Sequence, residues 1–190
     1  VQLPFQLGWV TMDHITQRLS TVLELFQRHQ IPHKVRRQFF HQIAHFIVAY
    51  LLNQVLQRKA LCTAHIGFQI KMSVSILDAW FLEHRRLIGN ASYHMETLIQ
   101  AANVLTLATN VEIFKTTESI ESTFSRLSPA QIKKMIDLYH PDALAPEPLP
   151  PSVRSMVTKV AAFSNDTRLL LDSVLPLVEI DNVPHIDEED

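Results

Sequence analysis

The chain has 190 residues, 47% of them hydrophobic and 19% charged, which is enough to bury one real core and excludes an intrinsically disordered polypeptide. A formal net charge of −2 excludes an electrostatic grip on nucleic acid or anionic lipid, and three glycines are too few for the tight turns of a β-rich fold. The single cysteine, Cys62, excludes an internal disulfide and suits a reducing compartment.

Helical periodicity dominates the chain. Thr11 caps a first helix whose apolar residues Ile15, Leu19, Val22, Leu23 and Phe26 recur at three- and four-residue steps. Ile31-Pro32 stops it, and Pro32 suits the first turn of the next helix, where a missing N–H has no partner to lose. That second helix runs to about Gln57 and is apolar around much of its circumference beyond residue 43, which predicts a place at the centre of a bundle. His41, Gln42, His45, Asn53 and Gln54 make the stretch from Phe39 to Leu56 too polar for a membrane span.

Cys62 to Gly67 reads as a break. A third helix carries Ile70, Val74, Leu77 and Phe81 on one stripe with Trp80 beside it, and ends near Gly89-Asn90. Met95, Leu98, Ile99, Ala102 and Leu105 mark a fourth, and a shorter helix spans Thr117 to Phe124. Ser128-Pro129-Ala130-Gln131 is a capping box with Pro at the first helical position, and its helix stops at His140-Pro141. Five prolines within 141–151 predict an extended surface loop, partly polyproline II. Ser152 then caps a helix through Val153, Val157 and Val160. Arg168 to Val178 is apolar but interrupted by Pro176, and Asp187 to Asp190 reads as a solvated acidic tail. The predicted fold is all-α: a multi-helix bundle of mostly antiparallel amphipathic helices, with a lead-in at 1–10, the helical domain at 11–178 and a tail at 179–190.

The residues that carry chemistry elsewhere are scattered here. His41 and His45 stand four apart on one helical face, a metal-site spacing, but Gln42 occupies the place of a zincin's general base and no third ligand follows from spacing. A polar edge beside a core stripe accounts for the pair more simply. His29, His33, His84, His94 and His140 sit near helix ends or loops, where a surface cation complements the helix dipole. Cys62 has no CxxC partner; His65 offers a route to a lowered thiol pKa, and a buried structural thiol is the simpler account. Glu112, Glu118 and Glu121 read as a solvated face, and no phosphate loop, nucleophile elbow or dinucleotide fingerprint occurs. Lys34, Arg36 and Arg37, and Arg85-Arg86, are basic clusters on solvated helix faces, with partner-facing charge as the sharper alternative. No catalytic, cofactor or metal residues are assigned.

Leu51-Leu52-Asn53, Arg58-Lys59, Cys62, Gly67, Gln69-Ile70, and Leu77 with Trp80 resemble in order and spacing the dilute (DIL) domain that ends the tail of class V myosins. Thr11-Met12-Asp13, Leu98-Ile99-Gln100-Ala101-Ala102, Ala130-Gln131-Ile132 to Leu138-Tyr139 before Pro141, and Leu170-Leu171-Asp172 with Leu175-Pro176 extend the similarity over about residues 11–178. The resemblance implies a non-catalytic α-helical cargo-binding tail, which docks vesicle or organelle adaptors and Rab-type small GTPases and can fold back on its own motor head. A DIL module of a junctional scaffold of the afadin or Ras-interacting kind is the alternative, and a metal-dependent enzyme the third. In the animal pattern, Rab contact uses a tyrosine two after the Gln-Ile pair and a glutamine late in the Leu-Ile-Gln-Ala-Ala helix. Met72 and Thr106 stand there in this chain, so the hydroxyl and the amide are lost. The face shared by Lys71, Met72 and Thr106 is the expected partner surface.

Overall fold

The computed structural model describes residues 11–175, so the expected lead-in and acidic tail lie outside the described residues. Among these, eight α-helices and two short 3-10 turns occur and no strand. They are α1 (Met12–Arg28), α2 (His33–Gln57), α3 (Ala64–Glu83), α4 (Arg85–Ile88), α5 (Met95–Thr106), α6 (Thr117–Thr123), α7 (Pro129–Leu138) and α8 (Pro151–Phe163).

Local chemistry sets most boundaries. Thr11 and His14 form a reciprocal capping box at the start of α1, and Ser128 with Gln131 does the same for α7. The end of α1 is a Schellman turn, in which Ile31 N–H donates to Phe26 O and Gln30 N–H to Gln27 O. Gln30 takes the left-handed conformation there (φ 53°) that glycine usually fills. Two caps differ from the sequence reading. Pro150 and Pro151 open α8, placing Ser152 inside its first turn, because a fixed φ suits a helix start. Pro32 likewise precedes α2 rather than lying within it.

The core runs through α1, α2, α3, α5 and α7. Phe26, Phe39, Phe40, Trp80 and Phe81 form an aromatic seam joining α1, α2 and α3, with ring centroids 5.0–6.2 Å apart. Trp80 Nε1 at its edge donates to Ser20 Oγ at 2.8 Å, which satisfies the one polar atom of the indole. The bundle's centre is α5 rather than α2. Seven of the twelve α5 residues are buried, against eight of twenty-five in α2, whose Phe46 and Tyr50 stack on each other in solvent. By length and composition alone α2 is apolar enough to cross a membrane. Its packing on α4, α5 and α7, and the polar side chains it uses to hold other segments, make it a core helix instead.

Gly67 lies inside α3, not in a break, which ends at the N-cap residue Thr63. The glycine marks a close helix crossing. A Cβ added there would stand 2.8 Å from Leu105 Cβ and 2.9 Å from the Ala102 carbonyl oxygen on α5. The expected end of α3 near Gly89 also resolves differently: α3 closes at His84, a single turn (α4) follows, and Gly89 turns the chain with φ +76°.

Candidate partner-binding surface

Two apolar stripes run along α3. One, with Ile70, Val74, Leu77 and Phe81, is buried against the bundle. The other, Phe68, Met72 and Ile76, repeats every four residues and stays roughly half exposed, at 51%, 56% and 43%. A single core consumes only one stripe of a helix, so the second is surplus to folding.

Polar groups flank that second stripe. Lys71 Nζ donates to Asn103 Oδ1 at 3.1 Å, tying α3 to α5 across the surface. Thr106 Oγ1 donates to the Asn103 carbonyl at 3.4 Å, and its methyl lies beside Gly67. Lys71 and Thr106 therefore meet through Asn103, while Met72 belongs to the exposed stripe beside them. Sequence reasoning missed Phe68, Ile76 and Asn103, although the four-residue repeat from Phe68 is visible in the sequence.

The other sequence candidates occupy structural roles. Arg36 Nε donates to Leu87 O at 2.6 Å, and Arg37 packs over Gly89, so neither sits on a solvated helix face. Both hold the α4 turn onto α2. Cys62 is buried and donates its S–H to Val55 O, and burial pushes its pKa up to about 12, whereas His65 pairs with Gln69. His41 is not at an edge but 1% exposed, and His94, expected at the surface, packs against it with Nδ1···Nε2 at 3.2 Å. His45 adds a third ring 5.6 Å from that of His94. Burial first, and then the Arg37 charge, lowers the His41 pKa to about 4; burial, His41, His45 and Arg126 lower that of His94 to about 3. The shared hydrogen bond needs one ring to accept, which a doubly protonated pair cannot do. No group of three His, Cys, Asp or Glu among the described residues is arranged to hold a metal ion.

A second exposed apolar region lies between α1 and α2. Ile15, Leu19, Val22, Phe39, Ile43 and Ile47 line a cleft of about 490 Å³ there. His14 and Arg18 line it as well, but nearly all of its surface is apolar.

The DIL domain profile matches residues 38–143, more than half of the chain. The chain belongs to the DIL domain family. This DIL chain is 28% identical over 167 residues to unconventional myosin-Va of Gallus gallus, covering 87% of the chain and 9% of that relative. It is 34% identical over 137 residues to unconventional myosin-Vb of Rattus norvegicus, covering 72% of the chain and 7% of the relative. The chain thus spans less than a tenth of the curated relatives it matches. The solved structure of Myo2-GTD in complex with Smy1 shares the all-helical fold, with a TM-score of 0.73 at 19% identity over 96% of this chain and 46% of that one.

Proposed function

We propose that this chain is the cargo- or adaptor-recognition part of a class V-like myosin tail, non-catalytic in itself, linking an actin-based motor to vesicles or organelles in the cytoplasm. The observation that carries the reading is the surplus stripe Phe68–Met72–Ile76 on α3, set beside Lys71, Asn103 and Thr106. An apolar centre with a polar rim is the anatomy of an exchangeable interface. The α1/α2 cleft, although His14 and Arg18 line it too, is nearly all apolar, the character of obligate contacts rather than exchangeable ones.

Family and fold support this reading. The matched relatives are unconventional myosins, and Myo2-GTD, of the same fold, has been solved holding a second protein, Smy1. The partner of this chain is a vesicle or organelle adaptor or a Rab-type small GTPase. Because the Lys71 and Thr106 polar atoms already bond to Asn103, recognition rests on the apolar stripe and its shape rather than on polar readout of the animal kind.

The test uses the 190-residue chain and a Met72→Asp, Thr106→Lys variant against purified Rab-type GTPases loaded with a GTP analogue and against vesicle-adaptor fragments. The variant keeps its helical circular dichroism and binds at least about tenfold more weakly to whichever partner the wild type holds. Unchanged binding by a folded variant dismisses this surface.

A further inference from the structure

After α8 the chain crosses α2 and α7 as a strap, residues 168–175, bent at Leu170 and at Ser173-Val174 and without helix or strand of its own. Seven hydrogen bonds from five side chains hold it, and each ends on the strap's backbone. Ser128 Oγ donates to Arg168 O at 2.5 Å and Gln131 Nε2 to Leu169 O at 3.1 Å. Asn53 both donates to Leu171 O and accepts from Leu171 N–H, each at 2.9 Å. Gln42 makes the same double pairing with Leu175, at 2.7 and 3.1 Å, and His45 Nε2 bonds Asp172 O at 2.7 Å.

Asn53 and Gln42 thus act as a neighbouring strand would, offering one donor and one acceptor to a single residue. Their spacing fixes the register. Leu171, Asp172 and Leu175 meet Asn53, His45 and Gln42 in turn, so the strap runs antiparallel to α2. Only Leu171 and Leu175 turn inward, while Leu169, Leu170 and Val174 are 38%, 48% and 67% exposed. The seat therefore reads peptide backbone plus two apolar side chains four residues apart, features that another polypeptide can supply.

We propose that this seat on α2 and α7 is a second protein-docking site, which takes an extended peptide of a partner with two apolar anchors four residues apart, in exchange for the chain's own strap. The strap competes through its tether, which gives it a high effective concentration, whereas the binding contacts reside in the seat. This is backbone-directed peptide recognition on a helical rather than a β-sheet edge. It is independent of the α3 stripe, since none of the seat's side chains belongs to α3 or α5.

The experiment titrates a fluorescent synthetic peptide of residues 166–176 into the intact chain and into a Leu171→Asp, Leu175→Asp variant whose own strap is weakened. The variant binds the peptide at least about tenfold more tightly than the intact chain, and adding Asn53→Leu removes the gain. No gain, or a gain that survives Asn53→Leu, overturns the proposal. Should the strap variant lose its helical circular dichroism, amide exchange on the intact chain decides. Leu171 and Leu175 N–H then exchange at least about 100-fold faster than the α5 core through local opening, and exchange as slow as that of α5 overturns the exchangeable strap.

Discussion

The α3–α5 crossing and the strap on α2 are both close contacts between distant parts of the chain, but they are made of different materials. At the crossing, Gly67 lets two apolar helices approach until Leu105 and the Ala102 carbonyl fill the space where a side chain would be. At the strap, Asn53 and Gln42 bind backbone, Leu175 is buried and Leu171 only partly so. Dense apolar packing admits one arrangement and fails with the whole fold. Backbone hydrogen bonds near the surface contribute little net and open locally. The chain thus combines a densely packed frame with an edge held mainly by hydrogen bonds to its backbone.

Acidification acts on the frame most strongly. His41 and His94 stay neutral in the folded chain down to about pH 4 and 3 but protonate near 6.5 when it unfolds. The unfolded chain therefore binds more protons in that window, and stability falls as pH drops from 6.5 towards 4. His41 alone accounts for a loss on the order of 3 kcal/mol. Urea midpoints at pH 7.5, 6, 5 and 4 follow this decline, and a flat profile would show that the pair is not buried neutral. Gly67→Ala breaks the crossing itself. With a backbone oxygen in the way, overpacking costs about 2 kcal/mol, read as a lower urea midpoint for the whole transition, while an unchanged midpoint would mean the helices can part freely.

Asn53→Ala sharpens the contrast from the other side. It removes both bonds to Leu171, about 1 kcal/mol net, yet the loss appears as faster amide exchange confined to the strap, with α5 protection unaltered. Exchange rising equally in α5 would tie the strap to the global fold. Smallest is Gln30→Gly, which relieves a left-handed glutamine and raises stability by about 0.5–1 kcal/mol in thermal unfolding. A loss of stability there would contradict the Schellman turn.

The rigid frame was legible in the sequence because apolar periodicity and caps are local signals. The stripes of α1, α3, α5 and α7, the Thr11 cap and the Ser128–Gln131 capping box follow from residue spacing alone, whereas the reciprocal bond from His14 does not. Gly67 was visible but misread, since a glycine needed for close approach looks identical to one needed for a turn. The histidine trio was half legible: His41 and His45 share a helical face, whereas His94 reaches them only through the Gly89 turn. The contacts of the strap were not legible, because its α2 partners lie 118–133 residues away and side-chain-to-backbone pairing leaves no pattern in the strap's own side chains. Of the proposed partner surface, Lys71, Met72 and Thr106 came from resemblance, while Phe68 and Ile76 emerged only once the structure showed which α3 stripe the core leaves uncovered.

The most direct test of the recognition surface compares two side chains of similar exposure, Met72 on α3 and Phe46 on α2, at 56% and 50%. A photo-crosslinking amino acid is placed at each position in turn, in the full-length protein in its own cells, and the adducts are identified by mass spectrometry. Position 72 yields a covalent adduct with an adaptor or small GTPase, and position 46 does not. Adducts at position 46 alone, or none at position 72 in a protein that still moves its cargo, would contradict the assignment of the α3 face.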